Sequence, residues 1–159
     1  MLYRAIALFT LTFAVCSVFT PAMAASAEGF EDFKLKNTAG EVVDTAKLRE
    51  GKVLLLKMGA TWCPPCREES KVFDQLRAKY AKKDVAIAEV FVYETPEVVK
   101  PHLKGHDFVD MLDITGKLVT KYELVMLVGL DGEVIFKRNS YIPYEPIAKE
   151  IDSALKLRG

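Results

Sequence analysis

Apolar and polar positions change their period several times along the chain, and each change marks a predicted element. FEDFKLKNTAGEVVDTAKLREG, residues 30 to 51, alternates the two classes around Ala39-Gly40 and predicts an N-terminal β-hairpin. KVLLLKMGA, residues 52 to 60, is almost continuously apolar, the mark of a strand covered on both faces. From Pro64 to about Tyr80, apolar Val72, Phe73, Leu76 and Tyr80 recur at helical spacing. DVAIAEVFVY, residues 84 to 93, reads as a second buried strand.

The remaining chain is shorter in its periods. TPEVVKPHLKG predicts a short helix with Thr95 as N-cap, Pro96 at the first helical position and an interruption at Pro101. DMLD and TGKLVTKYEL read as a short extended piece and a short helix. VMLVGL and EVIFKRN flank Asp131-Gly132, a tight-turn pair, and predict a hairpin. A helix from Tyr144 to Leu157 carries Ile147, Ile151, Ala154 and Leu155 on one face. Strand, helix, strand, helix, hairpin, helix is an α/β order, with parallel strands where helices connect them. No internal repeat appears.

The N-terminus adds a targeting segment. MLYR is a short head with one Arg, AIALFTLTFAVCSVFT is an apolar run, and PAMA ends in a small-x-small pattern. That order reads as a secretory signal peptide, residues 1–24, cleaved after Ala24. Residues 25–159 then form one domain, of ordinary size for a single core. The expected location is periplasmic or otherwise exported. An uncleaved membrane anchor is the alternative, because Ala5 to Ala27 is uncharged and long enough to span a bilayer. A lipid-anchor reading through Cys16 lacks the small residue wanted just before that cysteine.

Charge excludes one class of partner. The chain has 22 basic and 22 acidic residues; losing the leader with its single Arg leaves 21 against 22. With no basic field or charged tail, nucleic acid is not an expected partner.

Cysteine arithmetic points to chemistry. Cys16 leaves with the signal, so the mature chain keeps Cys63 and Cys66 in MGATWCPPCREES. In an oxidising compartment such a pair is a structural or a working disulfide. A bridge closing so small a loop removes little unfolded-chain entropy, which disfavours the structural role. With Cys63 at the N-cap of the following helix, its sulfur faces the positive helix end, which favours thiolate. Cys66, one turn on, is then the resolving thiol. Pro64 and Pro65 remove two N–H donors that would otherwise face the Cys63 sulfur, so a moderate rather than extreme pKa depression is expected.

The segments GATWCPPCREE, KVLLL, LDGEVIF and SYIPYEPIAKEI together resemble the TlpA/ResA/CcmG branch of thioredoxin-like proteins, from about Phe30 onward. The resemblance implies a thioredoxin-like fold with a central mixed β-sheet flanked by helices. It also implies an exported thiol–disulfide oxidoreductase working as a reductant, often in cytochrome c maturation. Its partners would be disulfide-bearing exported client proteins and a membrane thiol-electron transporter as donor, with a monomer expected. The redox-active disulfide Cys63–Cys66 would serve without a further cofactor, and no metal is expected in that role.

Other positions carry rival readings. Glu69 matches the acid that many family members hold three residues after the second cysteine; it relays a proton to Cys66 or merely complements the helix dipole. Lys57 stands six residues before Cys63, where thioredoxins commonly hold a buried acid. It either favours thiolate and pairs with Glu69, or snorkels to water. Trp62, Pro64 and Pro65 are expected to contact substrate, with core sealing the alternative for Trp62. His102 and His106 have a metal-like spacing but read as solvated face residues. No proline occurs between Pro101 and Pro143, where thioredoxin-like proteins usually place a cis-proline that shapes the substrate groove. A different class of function, a metal-binding or metal-delivering module using the Cys63 and Cys66 thiolates, is the alternative.

Overall fold

The computed structural model describes residues 29–106 and 108–156. The predicted leader and Cys16 lie outside these residues. The elements run β1 (Lys34–Lys36), β2 (Val42–Asp44), α1 (Thr45–Leu48), β3 (Val53–Gly59), α2 (Pro64–Tyr80), β4 (Val85–Val92), α3 (Pro96–His102), β5 (Val109–Asp113), β6 (Val125–Val128), β7 (Val134–Arg138) and α4 (Tyr144–Lys156). A 3-10 turn, Leu118–Thr120, lies between β5 and β6.

The strands form one mixed sheet in the order β2-β1-β5-β4-β3-β6-β7. β3, β4 and β5 are mutually parallel, and the other neighbours are antiparallel. The unbroken apolar runs are explained by this topology. Every residue of β3 is buried, because helices cover one face and loops with α1 cover the other. On the helix face, Val53, Leu55, Ile87 and Leu127 meet Phe73 and Leu76 of α2 and Ile147 and Ile151 of α4. On the opposite face, Leu54, Leu56, Val90 and Met126 pack with Phe30, and Leu48 and Tyr122 cover them. The Tyr80 hydroxyl donates to the Ala148 carbonyl at 3.0 Å and ties α2 to α4.

Several local expectations are corrected. TAKL is not hairpin but the short helix α1, whose N-terminus is capped by the Asp44 carboxylate accepting from the Ala46 N–H. Pro101 does not interrupt α3; it sits in the last turn. There its missing N–H and its ring clash disturb only one helical bond. Thr95 occupies the N-cap of α3, yet its side chain makes no capping bond. The hairpin β6–β7 turns through Leu130, Asp131 and Gly132 rather than through Asp-Gly alone. The Gly129 N–H donates to the Glu133 carbonyl, and Gly132 takes the left-handed φ of +86° that a turn of this length requires.

One backbone feature is costly for its residue type. Tyr93, directly after β4, has φ of 60°. Its ring lies against Gly116, where an added Cβ would fall 2.0 Å from the ring and where φ is +67°. Gly116→Ala is therefore expected to destabilise the protein by about 1–3 kcal/mol through combined strain and overpacking. Urea denaturation checks this, and an unchanged midpoint would contradict it.

Candidate active site

Strand β3 and helix α2 are joined by residues 60 to 63, and this connection is held from outside itself. The Glu94 carboxylate, buried just beyond β4, accepts the Thr61 N–H at 2.9 Å and the Thr61 hydroxyl at 2.5 Å. The Cys63 N–H donates to the Ala60 carbonyl at 3.1 Å and closes the turn. Thr61 thus faces the protein while Trp62 projects outward, 68% exposed. Trp62 is not a core-sealing residue. Pro64 and Pro65 are also exposed and flank the dithiol.

Cys63 is the N-cap of α2, with extended backbone. Its sulfur accepts the Cys66 N–H at 3.3 Å. The two prolines that open the helix carry no N–H, so the Cys66 amide is the first in the helix to reach that sulfur. Cys63 and Cys66 are joined as a disulfide, with both residues only partly buried.

Beneath the disulfide lies a charged cluster. Period-two alternation puts Lys57 on the helix face of β3, and its side chain is wholly buried. It does not snorkel, and its ion-pair partner is not Glu69. Glu89 sits opposite Lys57 in the parallel register of β3 and β4. The Lys57 ammonium donates to Glu89 Oε1 at 2.5 Å, to Ser70 Oγ at 2.7 Å and to the Cys66 carbonyl at 2.9 Å. Burial pushes the Glu89 carboxyl above the usual carboxylate range, with Lys57 opposing that shift.

Glu69 is also buried, facing inward from α2, and its Oε1 accepts the Ile142 N–H at 3.1 Å. Its carboxyl is pushed up chiefly by burial; Lys57 and the Ile142 amide lower it, and the nearby Glu89 charge raises it. The structure thus brings Cys63, Cys66, Lys57 and Glu69 to one end of the sheet and adds Glu89, Ser70 and Glu94, which sequence reasoning missed. The available signal was a Glu within the otherwise apolar β4 run, matching a Lys within β3.

The histidines are not solvated face residues. His106 lies past α3 and pairs through Nδ1 with Asp74 Oδ2 at 2.6 Å, while His102 packs edge-on against Phe91. Among the described residues no cis peptide bond occurs. The segment before β6 instead offers the Leu124 carbonyl, which accepts the Met58 N–H at 2.7 Å.

Helix α2 set on the end of a parallel strand pair, with a dithiol at its N-terminus, defines a thioredoxin-like protein. The chain belongs to the AhpC/TSA family, whose model matches residues 27–144. Thiol-disulfide oxidoreductase ResA of Bacillus thuringiensis subsp. konkukian is 29% identical over 111 residues, covering 65% of this chain and 64% of the relative. The thioredoxin-like protein YneN of Bacillus subtilis is 34% identical over 84 residues, 53% of this chain and 46% of the relative. A crystal structure of a thiol:disulfide interchange protein from Chlorobium tepidum superposes with a TM-score of 0.72 at 22% identity, covering 82% of this chain and 98% of that one. These matches bear out the resemblance to the TlpA/ResA/CcmG-like branch.

Two outcomes follow from the buried charges. Lys57→Met leaves Glu89 buried without its cation and is expected to cost about 3–5 kcal/mol at neutral pH, read by urea denaturation. A loss below about 1 kcal/mol would contradict the burial of the pair. For Glu69 the sign runs the other way. A carboxyl whose folded-state pKa is raised holds its proton more tightly folded than unfolded, so stability falls as pH climbs from the ordinary carboxylate range through the raised value. Glu69→Gln should therefore be more stabilising at pH ~8 than at pH ~4, relative to the parent. An equal effect at both would contradict it.

Proposed function

We propose that the protein is an exported thiol–disulfide oxidoreductase that reduces disulfides in client proteins through Cys63 and Cys66. The observation that carries this reading is the placement of the Cys63 sulfur at the N-cap of α2, beside an exposed Trp62, with Cys66 one turn behind it. The partial positive charge of the helix end favours the Cys63 thiolate. That thiolate attacks a client disulfide to give a mixed disulfide, and Cys66 attacks Cys63 to release the reduced client. Two electrons pass from the dithiol to the client, and the Cys63–Cys66 bond re-forms.

The ResA and DsbE names among its relatives support thiol–disulfide exchange. Apocytochrome c is the client class proposed, within cytochrome c maturation, with a membrane thiol transporter returning electrons. The signal-peptide pattern of residues 1–24 supports export. Working as a reductant fits the proline-opened helix, which gives Cys63 fewer amide donors than a helix start with both N–H groups and so less thiolate stabilisation. Trp62, Pro64 and Pro65 form the exposed rim a client would meet.

Equilibration of the mature protein with thiol buffers should give a reduction potential of about −250 mV or lower. A value of about −120 to −180 mV would reassign it to oxidation or isomerisation, and failure to form a reversible disulfide would reject exchange altogether. The Cys63 thiol should titrate moderately below the ordinary cysteine value of about 8.5; a value near ~4 would mark a strong oxidant instead.

A further inference from the structure

Resting on that reading of Cys63 and Cys66, we infer that Glu89, positioned by Lys57, takes the proton from Cys66 when Cys66 resolves the mixed disulfide. The geometry turns on Gly59, the last residue of β3. A Cβ added there would lie 3.3 Å from Glu89 Oε1, 3.4 Å from Cys66 Cβ and 3.6 Å from Cys66 Sγ. The carboxylate oxygen and the sulfur therefore flank one point, and a side chain at Gly59 would intrude between them. Glu69, the acid suggested by chain spacing, has Oε1 committed to the Ile142 N–H, whereas Glu89 Oε1 accepts from Lys57 and lies beside the Cys66 side chain across Gly59.

The groups facing Glu89 support a proton acceptor. Lys57 faces it from β3, Cys66, Glu69 and Ser70 from α2, and Asp110 is its in-register neighbour on β5. His106, beyond α3, contributes a favourable field. Asp110 is engaged elsewhere, accepting the Thr38 N–H at 2.7 Å. Lys57 bonds only Glu89 of the two acids, while Glu69 lies within the field of both. Two carboxylates around one cation leave a surplus negative charge, which draws a proton into the cluster.

The Cys66 thiol proton passes to Glu89, and the Cys66 thiolate attacks Sγ of Cys63. The Cys63–client S–S bond breaks, its electron pair leaves with the client sulfur, and the Cys63–Cys66 bond forms. The client thiolate takes its proton from water. Glu89 gives its own proton up to solvent as Lys57 restores the carboxylate.

The test follows the reduced mature protein reacting with 5,5′-dithiobis(2-nitrobenzoate) in stopped flow, across about pH 5 to 9. The first thionitrobenzoate release reports attack by Cys63, and the second reports resolution by Cys66. Glu89→Gln is expected to slow the second release by about tenfold or more, to flatten its low-pH inflection, and to change the first much less. Glu69→Gln is expected to slow the second release less than Glu89→Gln does. Because Glu89→Gln strands a buried Lys57, the double variant Lys57→Met, Glu89→Gln is measured beside it and should show the same selective loss. A second release at the parental rate and pH profile in the Glu89 variants overturns the proposal, as does equal slowing of both releases or a larger effect from Glu69→Gln. An absent second release in the parent protein rejects the oxidoreductase reading itself and the proposal with it.

Discussion

The arrangement depends on how one buried ammonium is satisfied. Lys57 has three N–H donors and a wholly buried side chain, and it finds three acceptors: Glu89 Oε1, Ser70 Oγ and the Cys66 carbonyl. Leaving any of them unmade at so buried a site would cost more than a typical hydrogen bond returns. The three acceptors come from two different layers. Glu89 belongs to the sheet, while Ser70 and Cys66 belong to the first turns of α2. The lysine therefore pins the start of the helix, and with it the disulfide, to a fixed point on β3 and β4.

A second tie holds the other side of the connection. Glu94, beyond the end of β4, grips Thr61 through backbone and hydroxyl. Cys63 stands between this anchor and the lysine, so its position at the helix N-cap follows from two charged residues of neighbouring strands, Lys57 in β3 and Glu94 just beyond β4. Pro64 and Pro65 stiffen the segment further by fixing φ at the opening of the helix. Such preorganisation suits a thiol whose reactivity depends on where its sulfur sits relative to the helix end.

Much of this was legible in the chain. The buried strands β3 and β4 announce themselves as apolar runs, α2 by its Val72, Phe73, Leu76 and Tyr80 spacing, and the dithiol by its place between strand and helix. What periodicity could not supply was pairing across the sheet. Lys57 and Glu89 are far apart in sequence and meet only because β3 and β4 run parallel in one register. The acid that motif spacing suggests for the lysine is Glu69, and helical geometry turns that acid instead toward Ile142. Helix α1 escaped notice because four residues hold no full period, and the histidines because their partners, Asp74 and Phe91, lie on other elements.

The polarity of the buried pair has its own cause. Thioredoxins commonly place an acid six residues before the first cysteine, and this chain places a lysine there. At Lys57 the opposing helix presents the Cys66 carbonyl, and the Ser70 hydroxyl already donates to that same carbonyl at 3.0 Å. A carboxylate in the lysine's place would face an acceptor with no proton to offer, whereas an ammonium supplies donors to all its neighbours. The acid is then excluded from β3 and must come from the adjoining strand to balance the charge, at the position that in-register pairing provides. That position is Glu89, beside side-chain-free Gly59 and therefore on the Cys66 side of the cluster. A lysine on β3 thus places the carboxylate one strand away, where it and the Cys66 sulfur flank Gly59.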